Sequence, residues 1–171
     1  FGRNERYFSG VVACIVRAIF KDVEDFSTTR EDNSLDFSRK LNHGGDVNQI
    51  NQQWSQARTL AKNAADNLDF SGSLTNKFGD TVSFGIIKVV AIHNTSTTVG
   101  DNLLIGGGAT TFLLLKQVTG RYELGPNGLI LVMEPSLAGK TVTAGSADIL
   151  RIENQGTQSI QYEIVVMGVQ S

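Results

Sequence analysis

Hydrophobic and polar positions along this chain recur with a period of two far more often than with the 3.6 of a helix. The cleanest case is near the end, where Ile160, Tyr162, Ile164 and Val166 point one way with Gln161 and Glu163 between them. Such alternation sends successive side chains to opposite faces and predicts a half-buried strand. The longest β-favouring run, Thr81 to His93, differs. Val82, Phe84, Ile86, Val90 and Ile92 share one face, yet Ile87, Val89 and Ala91 leave the other largely apolar too. A run apolar on both faces predicts a strand in the middle of the fold. Further strands are expected at Leu103–Ile105, at 112–115, at Leu129–Met133, around Val142 and at Ile149–Ile152. Gly106-Gly107-Gly108 reads as a tight turn. Gly125-Pro126-Asn127-Gly128 reads as a β-turn with Pro second and Asn third. Short strands at this spacing predict an all-β chain, an antiparallel β-sandwich of jelly-roll type.

The first half is less regular. Leu35 to Leu41 alternates and predicts a half-buried strand, and His43-Gly44-Gly45-Asp46 is a turn. Between Val47 and Ala65, the Gln, Ala, Leu, Lys and Arg content favours a helix that Asp46 could cap. Ile50, Gln52, Trp54, Gln56, Arg58 and Leu60 equally permit an extended chain, and the extended reading is preferred because tertiary context overrides propensity. Lys21 to Asp32 is charged and reads as a loop. Val11 to Phe20 (VVACIVRAIF) is the most apolar window. It is too short to span a bilayer, which takes about 20 residues. Arg17 interrupts it and no small-residue cleavage site follows, so it does not read as a signal peptide either. Two readings remain: a buried strand or short helix, or an apolar arm that docks on a partner chain. The chain therefore divides into an extended N-terminal arm, 1–34, and a β-sandwich domain, 35–171.

Charge sharpens that division. Residues 1–80 hold 10 of the 15 basic and 11 of the 17 acidic side chains. The second half is rich in Gly, Thr, Ser, Val, Ile and Leu. A net charge of -2 gives no global field to recruit nucleic acid or an anionic membrane. One cysteine, Cys14, excludes an internal disulfide framework. At 171 residues the chain is long enough to bury about 70% of its unfolded surface. Opening on Phe1 rather than Met, the sequence is expected to lack its initiating residue.

Candidates for chemistry are weak. Gly139-Lys140-Thr141 ends like a phosphate-binding loop, but Glu134 stands where the earlier glycine belongs and a strand follows instead of a helix. His43 and His93 lie far apart without Cys or acidic residues at ligand spacing. Cys14 has no accompanying histidine motif and is expected in the core. Glu24-Asp25 and Glu31-Asp32 read as solvated loop charges, and Asn94-Thr95-Ser96 is a formal glycosylation sequon. Trp54, Tyr122 and Tyr162 are each expected to pack internally, which leaves no aromatic platform for a sugar. No catalytic residue, metal ligand or cofactor is expected.

One resemblance adds to this. Trp54-Ser55-Gln56-Ala57-Arg58-Thr59-Leu60, Leu68 to Thr75 and Phe78-Gly79 form a pattern that resembles small structural proteins of tailed bacteriophages. The likeness continues through Ile87-Lys88, Asn94 to Thr97, Gly106-Gly107, Thr143-Ala144-Gly145, Asp148 to Asn154 and the Tyr162–Val166 strand, covering about residues 35–168. It implies a non-enzymatic virion component, head-decoration or tail-associated, and the expectation is a capsid decoration or minor head protein. Its implied partners are other virion proteins and further copies of itself, with no nucleic acid and no membrane. It implies assembly into the virion in a bacterial cytoplasm, and an extended Trp54–Leu60. A tail or neck protein, or a carbohydrate-binding sandwich, is the alternative. The residues expected to form the subunit-contact arm are Val11, Val12, Ile15, Val16, Ile19 and Phe20.

Overall fold

Alternating β-branched and aromatic residues, punctuated by Gly and Asn turns, leave no room for a helix among the described residues. The computed structural model describes residues 7–24 and 27–171, with side chains for 7–18 and 32–171. The described strands are β1 (Gly10–Glu24), β2 (Ser27–His43), β3 (Gln49–Ile50), β4 (Gln52–Leu60), β5 (Ala65–Asp69), β6 (Leu74–Thr75) and β7 (Thr81–Val82). They continue with β8 (Phe84–Asn94), β9 (Leu103–Gly106), β10 (Arg121–Leu124), β11 (Leu129–Met133), β12 (Lys140–Thr141), β13 (Ile149–Asn154) and β14 (Ile160–Gln170). The expected all-β class holds, in several antiparallel sheets.

One sheet runs β11-β8-β14-β4, with β12 continuing past β11 along the same side of β8. A second runs β10-β9-β13-β5. Both feed one apolar core: Trp54, Leu60, Val90, Ile92, Ile160, Tyr162, Ile164 and Val166 from the first, Leu68, Leu103, Ile105, Leu124, Leu150 and Ile152 from the second. At one end Phe70 meets Phe84 and Phe112 edge-on, with centroids 6.0 and 5.3 Å apart. That geometry suits the ring quadrupoles. The extended reading of residues 47–65 is correct for β4, whose paired Trp54 and Leu60 are buried.

Two buried asparagines close the ends of the core. Asn94 Nδ2 donates to the carbonyls of Asp101, Leu124 and Gly125 at 2.8, 3.2 and 3.1 Å. Asn154 Nδ2 donates to those of Leu60, Ala61 and Gln158 at 3.0, 3.1 and 2.8 Å. Each Oδ1 accepts the backbone N–H two residues on, from Ser96 and Gly156. An amide can do this because it presents donor and acceptor from one planar group. The Asn94 side chain is thereby buried and committed, so the sequon is a structural corner.

Several expectations need correction. Ile86 does not join the inner face of the central strand; Ile87 does, while Ile86 is only half-buried. The register between β8 and β14 shifts twice, at Met167/Gly168 and Val169/Gln170, and each bulge reverses the side-chain alternation. Gly168 permits the closest approach, since a Cβ there would lie 2.1 Å from the Ile86 carbonyl oxygen. Residues 112–115 are not a strand: Phe112 and Leu114 anchor a loop, with the Leu114 N–H bonded to the Phe112 carbonyl at 2.8 Å. The Gly125–Gly128 turn forms as expected, with Asn127 at φ 55° and the Gly128 N–H donating to Gly125 at 3.0 Å.

The largest departure is at the N-terminus. Of the expected loop Lys21–Asp32, the described residues are strand: β1 reaches Glu24 and β2 starts at Ser27, pairing in unbroken antiparallel register from Gly10↔Leu41 to Glu24↔Ser27. The arm is thus a hairpin rather than a single extended segment. The expected junction at 34/35 falls inside β2, so the alternating Leu35–Leu41 segment belongs to the hairpin. Among its described side chains, only Leu41, at the base, is fully buried.

Candidate partner interface

The hairpin's base is tied to the body by a second, smaller cluster. Val12, Leu41, Ile50 and Val89 are buried together, with Phe8, Leu131, Met133 and Met167 packed around them. The parallel β2–β3 pairing at Asn42↔Gln49 and His43↔Ile50 fixes the exit angle. Gly10 lies so close that a Cβ would meet Met167 Sδ at 3.2 Å. Phe8 stacks on His43 at 6.1 Å, and its N–H reaches His43 Nδ1 at 3.3 Å.

Beyond that base the described apolar side chains are largely open. Val11, Ile15, Val16 and Leu35 are 65, 71, 56 and 67% exposed. Of the predicted arm residues, Val11, Ile15 and Val16 are therefore open, and Val12 is used at the base. The side chains of Ile19 and Phe20 lie outside the described residues. The expectation of a buried strand at Val11–Phe20 holds at Val12 and fails at Val11, Ile15 and Val16: the strand forms, and those three side chains stay open. Register places Cys14 opposite Phe37 and Val16 opposite Leu35 on the face that carries Val12 and Leu41. Cys14 is half-buried on this hairpin, not in the main core where it was expected. Arg39 lies over the Phe37 ring, 5.8 Å from its centroid. Sequence reading missed Leu35 and Phe37 because their alternation looks the same whether the covered face meets the chain's own core or a neighbour. The available signal was that β1 and β2 can be aligned about residues 24–27 with apolar residues falling opposite one another.

The remaining polar candidates are built into the scaffold. Asp66 accepts two bonds from Arg58, one at 3.1 Å and one very short, and a third from the Tyr162 hydroxyl at 2.8 Å. Burial, and then the Asp66 carboxylate, raise the Tyr162 hydroxyl well above the usual tyrosine range, so it stays a donor. Asp101 is held below the usual carboxylate range by hydrogen bonds from Gln158 and Ser96. Lys88 is buried within β8, its ammonium donating to the Asp46 carbonyl, and burial lowers it from the usual lysine value. His93 Nδ1 sits 3.4 Å from Glu163 on an open sheet face, and His43 is at the hairpin base, so the two are not brought together. No group of three His, Cys, Asp or Glu capable of holding a metal occurs among the described residues.

Lys140 and Thr141 form β12 rather than part of a phosphate loop. Gly106, Gly107 and Gly108 all have positive φ in a turn leading out of β9. A hollow beside that turn, lined by Asn67, Gly107, Thr110, Thr111, Ile149 and Arg151, holds no thiol, imidazole or carboxylate to form an acid–base pair. Trp54 and Tyr162 pack internally as expected, but Tyr122 does not: on edge strand β10 it is 45% exposed. Side chains of Glu24, Asp25 and Glu31 fall outside the described residues.

No helix among the described residues is long and apolar enough to cross a membrane. No family model, curated protein or solved structure matches the chain.

Proposed function

We propose that this chain is a non-enzymatic structural component of a tailed-bacteriophage virion, a capsid decoration or minor head protein that grips neighbouring subunits with its N-terminal hairpin. The supporting body is an antiparallel β-sandwich of jelly-roll type. One observation carries the reading: a two-stranded hairpin of 15 and 17 residues extends an apolar stripe away from a core that is already closed without it. Isolated two-stranded ribbons are marginal in water, and apolar side chains gain about 25 cal/mol per Å² only when covered. A hairpin of this make is completed by a partner. The phage assignment rests on the sequence resemblance over residues 35–168, with a tail- or neck-associated position as the alternative to a head position. A sugar-binding role is less well supported, because Trp54 and Tyr162 are buried and Tyr122 is a lone ring.

The test is the composition of particles. Purified virions from bacteria producing the encoding phage should contain the chain in repeated copies at symmetry-related positions, visible by mass spectrometry and cryo-electron microscopy. Its absence from such particles would remove the virion assignment.

A further inference from the structure

We infer that the apolar stripe of the hairpin docks on the outer face of the β11-β8-β14-β4 sheet of a second copy of this chain. The inference rests on the reading of the hairpin as a contact arm and adds the identity of the surface it meets.

The outer face of that sheet is organised in cross-strand rows. One row holds Met133, Val89, Met167 and Gln53; the next Leu131, Ala91, Val165 and Ser55; the third Leu129, His93, Glu163 and Ala57. In each chain the hairpin's own base covers the first row: Val12 and Leu41 cluster with Val89, Met133 and Met167, and Leu131 is reached as well. The second row continues that apolar surface through Ala91 and Val165 to Ser55, and the third is apolar only at its ends, Leu129 and Ala57, with His93 and Glu163 between them. Ala91 and Val165 are half-buried and Leu129 is 63% exposed.

The hairpin shows the same incompleteness. The face that packs at the base through Val12 and Leu41 continues outward as Cys14 with Phe37, then Val16 with Leu35. Thus one face of the hairpin is already complementary to one face of the sheet, and the intrachain contact uses only the first part of each. The two unused parts cannot meet within one molecule, because the hairpin leads away from the sheet as it leaves the first row. Between two copies they can. The two faces also carry opposite charges: the exposed Arg39 stands opposite Val12 within the hairpin face, and the exposed Glu163 stands in the third row of the sheet. Opposite charges favour the encounter and set the register more than they add affinity. Since the donor surface and the acceptor surface differ, the contact is heterologous and propagates from copy to copy until symmetry closes it.

Cys14 is the chain's sole cysteine, which makes the contact directly testable in the full-length protein. Two double variants, Cys14→Ser with Val165→Cys and Cys14→Ser with Leu129→Cys, each supply a thiol only on the sheet. Mixed with unaltered chain and treated with a short bismaleimide, they should give a covalent dimer whose cross-linked peptides join Cys14 to the new cysteine. A third variant, Cys14→Ser with Asn67→Cys, places the thiol on the other sheet and should yield at least tenfold less. Equal yield from the Asn67 control, or a chain that stays monomeric at millimolar concentration, would overturn the inference. Val16→Glu and Leu129→Glu, both at exposed positions, should each weaken self-association at least tenfold with unchanged melting temperature; unaltered association in either would also overturn it. Should Val16→Glu abolish incorporation into particles while no Cys14–sheet link forms, the arm would still be a contact device but its receptor would be another protein, and this inference would be wrong.

Discussion

Replacing Asn154 by Asp should unfold this protein at far lower denaturant than a change of one atom suggests. Asn154 is buried, and the two hydrogens of its amide are shared among three carbonyls from two places in the chain, the adjacent Leu60 and Ala61 and the distant Gln158. The Asp keeps the oxygen that accepts the Gly156 N–H at 2.7 Å but turns a bare oxygen toward those carbonyls. Buried acceptors stripped of donors cost about 1–3 kcal/mol each, so two or three give a loss of about 3–6 kcal/mol. That is a large share of the 5–15 kcal/mol that typically separates folded from unfolded domains. The site would also resist ionisation, raising the new carboxyl's folded pKa above its unfolded value of about 3.9. The variant then keeps its stability below the unfolded pKa and loses it as pH rises toward the folded one. Urea unfolding followed by the fluorescence of Trp54, the sole and buried tryptophan, measures both effects. Asn154→Ala is the comparator: it strands the same carbonyls and has no such pH dependence. An Asp variant within 1 kcal/mol of the parent at pH 7, with no slope between pH 4 and 7, would refute the role given to this corner.

Lys88→Met should be neutral or stabilise by about 1–4 kcal/mol at neutral pH, because it removes a buried ammonium from a strand interior. Since burial lowers the folded pKa of Lys88, the parent should gain stability as pH rises from that lowered value toward about 10.4, and the Met variant should lack this gain in alkaline urea titrations. Asp66→Ala should cost about 2–4 kcal/mol by leaving the Tyr162 hydroxyl and the Arg58 guanidinium without their shared acceptor; thermal unfolding within 1 °C of the parent would argue against it. Ile15→Ser, on the open hairpin, should change stability by less than about 0.5 kcal/mol, whereas Leu41→Ala at its base should cost about 2–5 kcal/mol. Equal costs in calorimetry would mean that Ile15 is covered within its own chain.

The fold was legible where local pattern and burial agree. Ile160–Val166 alternates cleanly because one face of β14 meets the core and the other meets solvent, and the structure keeps that parity. The Thr81–His93 run was legible as a central strand but not in detail. Its inner face changes parity at two bulges, and these depend on Gly168 in a strand some eighty positions later in the sequence. Lys88 was opaque for the same reason: a charge inside an apolar run gives no sign of which backbone oxygen will meet it. The hairpin was half legible. Val11–Phe20 stood out by composition, but its partner strand looked like part of the main body, because pairing register is a long-range property. Tyr122 was misplaced because β10 is a short edge strand without an alternating signal.

Composition of the hairpin gives the last argument about what it is for. β1 reads Gly-Val-Val-Ala-Cys-Ile-Val-Arg-Ala, apolar on both faces like β8, whereas β2 alternates Leu, Phe and Leu with Asp, Ser and Lys. β8 is composed that way because one face meets the main core and the other meets the hairpin base. β1 has the composition of such a strand, yet its Val11, Ile15 and Val16 have neither covering. A protein that worked alone would have every physical reason to carry polar residues at Val11, Ile15 and Val16, since nothing in its own fold uses them and exposed apolar strand surface invites uncontrolled pairing. A surface kept apolar at that risk is explained if the exposed state is temporary and assembly ends it. The short stripe suits a contact that is weak in the single copy and becomes durable only when repeated by symmetry.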